Sequence, residues 1–128
     1  MSLTDHGVSL LRQVQQEIRR KPRSFYMLSW RVERWCGSTM CIAGHLLERC
    51  GEPISFIGNN SVGAELLGVD YKAAAALFHV DEWPRDLAMR EAFHRRRWGH
   101  AEEYAEVACE RIDRFIAEHR PDLVGASR

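Results

Sequence analysis

Apolar residues recur every three or four positions along most of this 128-residue chain, which is the spacing of amphipathic α-helices. The pattern is clearest over 4–20 and 100–119, where one apolar stripe continues for several turns. Polar caps and glycine or proline breaks divide the region between them into shorter helices. We therefore predict an all-α fold, a single compact domain (1–128) of about five or six helices, with loose ends at 1–4 and 121–128.

Residues 39–50 are predicted to form a short apolar helix at the buried centre of the domain. Ser38 or Thr39 offers a hydroxyl as N-cap, and Gly51 suits the left-handed residue that commonly ends a helix. Ile42, His45, Leu46 and Arg49 fall on one stripe, which Ala43 and Leu47 widen, and the small Ala43 and Gly44 allow another element to pack closely. We expect the N- and C-terminal helices to pack around it.

The preceding segment, 25–35, is rich in aromatic residues but has no clear period. After the break at Pro22 we predict a loop that leads into a short helix. The aromatic residues are expected to pack in the core, with Trp30 or Trp35 against the small residues of helix 39–50. An aromatic ligand pocket is the alternative interpretation.

A later helix is predicted to begin near Asp86, after Pro84. Its inner side is expected to carry Leu87, Met89 or Arg90, and Phe93. The basic run at 94–98 follows and ends on a tryptophan. Such a run is typical of a solvated face, and a contact to phosphate or to an acidic partner is the alternative.

Composition and charge restrict the possible functions. The chain is 45% hydrophobic and 28% charged, as in ordinary globular proteins, and no apolar run approaches the roughly 20 residues of a membrane span. Without a charged and then apolar leader, we expect a cytoplasmic protein. The 18 basic and 18 acidic residues balance, whereas nucleic-acid binding favours a positive excess. Bases exceed acids before residue 51 and acids exceed bases over 51–92, which favours protein partners or self-association.

The segment Cys36–His45, with the sequence CGSTMCIAGH, resembles a Cys-Gly-Thr-x-x-Cys-x-Ala-Gly signature of small bacterial and phage proteins. Ser38 stands where threonine is usual in that signature. The flanking pieces at 27–30 and 64–68 match loosely, so the resemblance covers about half the chain. It implies a family but brings no assigned activity, cofactor or partner.

Cysteine and histidine side chains in this segment allow two reactive interpretations. In the first, Cys36, Cys41 and His45 bind zinc, which needs four ligands in a structural site. The fourth ligand would be one of Cys50, His79, His94 and His100. In the second, Cys41 is a reactive thiol in the first turn of a helix, with Cys36 as resolving thiol and His45 as base.

A third interpretation, which we favour, makes the cysteines small buried apolar residues and leaves His45 packed with one nitrogen hydrogen-bonded. No complete catalytic set occurs in the sequence, so we expect neither an enzyme nor a cofactor. We predict a protein that acts through protein–protein interaction or self-association. Helix-turn-helix-like nucleic-acid binding through 61–79 is a further alternative, although the second helix offers alanines where base-reading side chains are needed.

Overall fold

The computed structural model of the chain describes residues 2–27, 32–34, 37–39, 41–52, 59–97 and 99–125. These ranges contain seven α-helices: α1 (Asp5–Arg20), α2 (Ile42–Arg49), α3 (Asn59–Leu67), α4 (Tyr71–Phe78), α5 (Arg85–Arg95), α6 (Ala101–His119) and α7 (Pro121–Gly125). Two three-residue strands, β1 (Val32–Arg34) and β2 (Gly37–Thr39), pair antiparallel between α1 and α2. The prediction of an all-α fold is confirmed, with one helix more than expected.

The two long terminal helices are those the sequence predicts. Thr4 caps α1 by accepting the backbone N–H of Gly7 on its hydroxyl, at 2.9 Å. Helix α1 packs against α6, α2 and α3, and α6 packs chiefly against α1 and α5. The facing sides of the two helices contribute fully buried residues to the core: Leu11, Val14, Ile18, Ala108, Ile112 and Phe115.

Helix α2 is buried as predicted, but it begins later than the predicted range 39–50. Ser38 and Thr39, the expected caps, belong to β2, because their backbone pairs with β1 in the register Val32↔Thr39. Cys41 takes the N-cap position instead. Gly51 ends the helix with φ +70°, the left-handed conformation expected there.

Within 25–35, where a short helix is predicted, residues 32–34 form β1 and pair with β2, while 28–31 and 35 lie outside the described residues. A 3₁₀ helix at Pro22–Ser24 precedes this segment, and Phe25 is buried. Trp30 and Trp35, expected to fill the space beside α2, lie outside the described residues.

Leu3 and α7, near the two ends of the described chain, make contacts that the sequence did not predict. Leu3 is 1% exposed and belongs to the hydrophobic core. The Arg120 guanidinium donates to the Leu3 carbonyl at 3.3 Å, to Asp5 at 2.7 Å and to Asp122 at 2.9 Å. The expectation of loose ends is therefore wrong for Leu3 and for α7. One arginine joins side chains 115 positions apart, which local sequence patterns do not reveal.

Helix α5 is turned differently from the prediction. Leu87 is fully buried, as expected, but Met89 is 62% exposed and Phe93 is 49% exposed. Glu91 takes the inner position instead, at 1% exposure. The predicted inner side is therefore wrong for Phe93 and for both alternatives at the middle position, Met89 and Arg90, because Arg90 is exposed as well.

Close packing of α1 on the end of α3 predicts an unusual response to substitution at Gly7. A Cβ at this position would lie 2.5 Å from the Leu67 carbonyl oxygen and 3.0 Å from Leu67 Cα, so backbone must move. We expect Gly7→Ala to lower the free energy of unfolding by about 1–3 kcal/mol in urea titrations. Alanine inside a helix would otherwise add about 1 kcal/mol.

Ser9→Ala is the matched control, because Ser9 is an exposed residue of the same helix. It should leave stability unchanged or raise it by a few tenths of a kcal/mol. A Gly7→Ala protein as stable as the wild type would contradict the packing described for α1 and α3.

Candidate functional site

Cys41 lies in a buried position with a structural role. Its side chain is 2% exposed, and its Sγ accepts the backbone N–H of Gly44 at 3.5 Å. Burial raises the pKa of the Cys41 thiol to about 11, although backbone N–H groups at the start of α2 act in the opposite direction. The thiolate, which is the reactive and metal-binding form, is therefore scarce at neutral pH.

His45 is held as a neutral side chain on the next turn of α2. It is 5% exposed, and its Nε2 lies 2.8 Å from the carbonyl oxygen of Ser24. Because a carbonyl only accepts, Nε2 carries the proton and donates it. Burial lowers the pKa of His45, and the Ser24 carbonyl partly offsets this effect. Only Nδ1 is left to act as a base or as a metal ligand.

The other proposed ligands are dispersed. Cys36 lies outside the described residues, so its relation to Cys41 stays a prediction. Cys50 is half-buried at the end of α2, and burial raises the pKa of its thiol. Cys41, Cys50 and Cys109 are free thiols. Over the part of the chain that the structure describes, no three His, Cys, Asp or Glu side chains are grouped to hold a metal ion.

Two of the histidines considered as fourth ligands do come together, away from α2. Nδ1 of His94, in the last turn of α5, lies 3.0 Å from Nδ1 of His100, the residue that precedes α6. Both side chains are half-buried. The third candidate, His79, lies elsewhere, with its Nε2 2.8 Å from Asn60 Nδ2. The positions of His94 and His100 in the sequence gave no sign of the contact between them.

A buried carboxylate, which sequence reasoning missed, holds α5 against α6. Glu91 accepts from Arg95 Nε at 2.9 Å and from the Tyr104 hydroxyl at 2.6 Å. The same hydroxyl accepts the backbone N–H of Met27 at 3.0 Å, and the Phe25 ring packs against the Tyr104 ring. Burial, together with the hydrogen bond to Glu91, raises the pKa of Tyr104 far above its ordinary value. Tyr104 therefore stays a neutral donor.

The opposite side of α5 carries exposed apolar and basic side chains. Met89 and Phe93 are one turn apart, and both are largely in solvent. Arg97 lies over the Phe93 ring, with 3.5 Å between its guanidinium carbon and the ring centroid, and donates to the Phe93 carbonyl at 2.7 Å. We call Arg85, Met89, Phe93, Arg96 and Arg97 the α5 face; all five are exposed.

The helix pair within 61–79, considered for nucleic-acid binding, packs into the domain. Asp70 caps α4 by accepting the N–H of Ala73 at 2.8 Å. Ala74 is buried, and the Ala76 carbonyl accepts from the buried Arg111 of α6 at 3.2 Å. Tyr71 and Lys72, at the start of α4, are exposed.

Comparison of the chain with protein-family models, curated proteins and solved structures gives no match. The resemblance of Cys36–His45 to a bacterial and phage signature accordingly stays a prediction. Among the helices described, none combines the length and apolar character needed to cross a membrane.

Burial of the described thiols predicts their order of reaction. With a disulfide reagent at neutral pH, we expect Cys50 to be modified first, and the buried Cys41 and Cys109 only when the domain opens. The reason is that burial raises the pKa of Cys41 to about 11 and of Cys109 to about 12. Mass spectrometry of peptides at timed intervals gives the order. A Cys41 that reacts as fast as free cysteine would instead support the reactive-thiol hypothesis.

Burial of Glu91 predicts a large loss of stability when it is removed. Glu91→Ala leaves Arg95 and Tyr104 without their acceptor, which we expect to lower the free energy of unfolding by about 3–5 kcal/mol in urea titrations. Glu110→Ala is the matched control, because Glu110 pairs with Arg90 between the same two helices but is 40% exposed. That change should cost at most about 1 kcal/mol. Equal losses for the two variants would contradict the structural role of Glu91.

Proposed function

We propose that this protein acts by binding another protein through the α5 face. The observation that carries the proposal is the exposure of Met89 and Phe93, side by side on a helix that buries a carboxylate. Large apolar side chains that remain grouped at a surface commonly mark interaction sites. Methionine, phenylalanine and arginine are also enriched in the centres of protein interfaces.

Charge indicates the kind of partner. The α5 face combines its two apolar side chains with three exposed arginines, Arg85, Arg96 and Arg97. The neighbouring Arg90 and Arg95 are engaged with Glu110 and Glu91. A partner surface with apolar side chains bordered by Asp or Glu would be complementary. A second copy presenting the same face would bring like charges together across a two-fold axis.

The proposal includes a cytoplasmic location for the protein. A cytoplasmic protein keeps its cysteines reduced, and the described cysteines, Cys41, Cys50 and Cys109, are free thiols. Burial raises the pKa of the Cys41 thiol to about 11 despite the backbone N–H groups near it, which supports a binding role over an enzymatic one.

The α5 face can be tested with a double variant, Met89→Ser with Phe93→Ser. Both residues are exposed, so the fold should be retained, which thermal unfolding checks. Immobilised wild-type protein is compared with the variant in capture from source cells. Leu123→Ser is the control, because Leu123 is another exposed apolar residue, at 41% exposure. A partner recognised through the face should be captured by the wild type and the control but lost with the variant.

Direct binding of the purified partner then decides the proposal. We expect affinity to fall at least about 30-fold in the double variant, as for interface residues worth 2 kcal/mol or more. Affinity should also weaken with added salt. If mass photometry shows self-association that the variant abolishes, the partner is a second copy. A monomer with no partner, or a partner that binds the variant equally well, would contradict the proposal.

A further inference from the structure

We propose that the Nδ1 atoms of His94 and His100 together form a binding site for a divalent transition-metal ion. Zn²⁺ is the ion used to test it. The proposal is independent of the protein-binding role of the α5 face. It differs from the zinc site considered at Cys36, Cys41 and His45, because its ligands come from the junction of α5 and α6.

The spacing of the two nitrogens suits neighbouring ligands of one ion. Zinc–imidazole bonds are about 2.0–2.1 Å long, so two such ligands at a right angle are about 3.0 Å apart, and at a tetrahedral angle about 3.4 Å. The observed distance between His94 Nδ1 and His100 Nδ1 is 3.0 Å. Nitrogens this close must share a proton, one donating and the other accepting. A metal ion takes the place of that proton after a modest rotation of the rings, whose χ2 wells are broad.

The junction between α5 and α6 holds both ligands in place. His94 belongs to the last turn of α5, and Gly99 turns the chain with φ +76° directly before His100. Because α5 packs along α6, the helix end that carries His94 and the helix start that follows His100 are held close together. The Phe93 ring also supports them, with its centroid 5.1 Å from that of His94 and 6.3 Å from that of His100.

The chemistry of the two ligands favours an ion that binds nitrogen. Desolvation, followed by the neighbouring His100, lowers the pKa of His94; Arg90 and Arg97 act in the same direction and Glu103 opposes them. A lowered pKa favours the neutral imidazole, which is the form that binds a metal ion. No carboxylate is grouped with the pair among the described residues, which disfavours Mg²⁺ and Ca²⁺ because they depend on carboxylate oxygens, whereas imidazole suits zinc, copper and nickel.

The coordination shell is expected to be open. No third His, Cys, Asp or Glu is grouped with the pair among the described residues, so water must supply the remaining ligands. Both imidazoles are half-buried, which leaves them accessible from solvent. Such a site exchanges its ion readily, unlike a closed structural zinc site with four protein ligands.

The test is a calorimetric titration of the chelator-treated full chain with Zn²⁺, and NMR of the imidazole groups locates the ion. We expect one equivalent to bind, with the His94 and His100 ring signals shifting together. His94→Ala and His100→Ala should each weaken binding by more than about tenfold, since even indirect changes at metal sites cost 10–100-fold. The His100 side chain makes no capping hydrogen bond to α6, so its removal should leave the helix start intact.

His6→Ala is the matched control, because His6 is an exposed histidine on α1. It should bind Zn²⁺ like the wild type, and excess Mg²⁺ should not compete. Absence of saturable binding, or equal binding by the wild type and both variants, would overturn the proposal. If a variant fails to fold, the ring signals of the wild-type protein still decide whether the ion sits between His94 and His100.

Discussion

The buried carboxylate of Glu91 determines how α5 is rotated about its axis, and this rotation determines which side chains of α5 are exposed. A carboxylate this deeply buried requires charged or polar donors, and Arg95 and Tyr104 supply them. With Glu91 and Leu87 turned inward, helical geometry places Met89 and Phe93 in solvent. Both the proposed interaction face and the position of the last turn of α5 beside α6 depend on this arrangement.

Much of the fold could be predicted from the sequence because local signals agree with the final packing. Helices α1 and α6 have long apolar stripes, and α1 and α4 begin at the caps that Thr4 and Asp70 provide. The start of α2 could not be predicted in the same way. Ser38 and Thr39 are residue types that commonly cap helices, but their backbone is paired with β1. The sulfur of Cys41 caps α2 instead.

The candidate site was harder to predict, because its contacts join residues that no periodic pattern connects. In the sequence, the apolar stripe through Met89 and Phe93 indicates a buried face. Burial of Glu91 in its place is favourable only because Tyr104 and Arg95 donate hydrogen bonds to its carboxylate. Hydrogen bonding across helices therefore overrides hydrophobic periodicity here. The cysteine-rich segment drew attention in the sequence, whereas the structure gives Cys41 a local partner and brings histidines together elsewhere.

The rotation of α5 can be measured directly through its methionine. In the native protein at high dilution, hydrogen peroxide should convert Met89 to the sulfoxide at a rate close to that of free methionine, because the side chain is 62% exposed. Met27, at 6% exposure, is the internal reference and should react at least about tenfold more slowly. Peptide mass spectrometry gives both rates. Met89 protected as well as Met27 would show that α5 is turned the other way and would contradict the account.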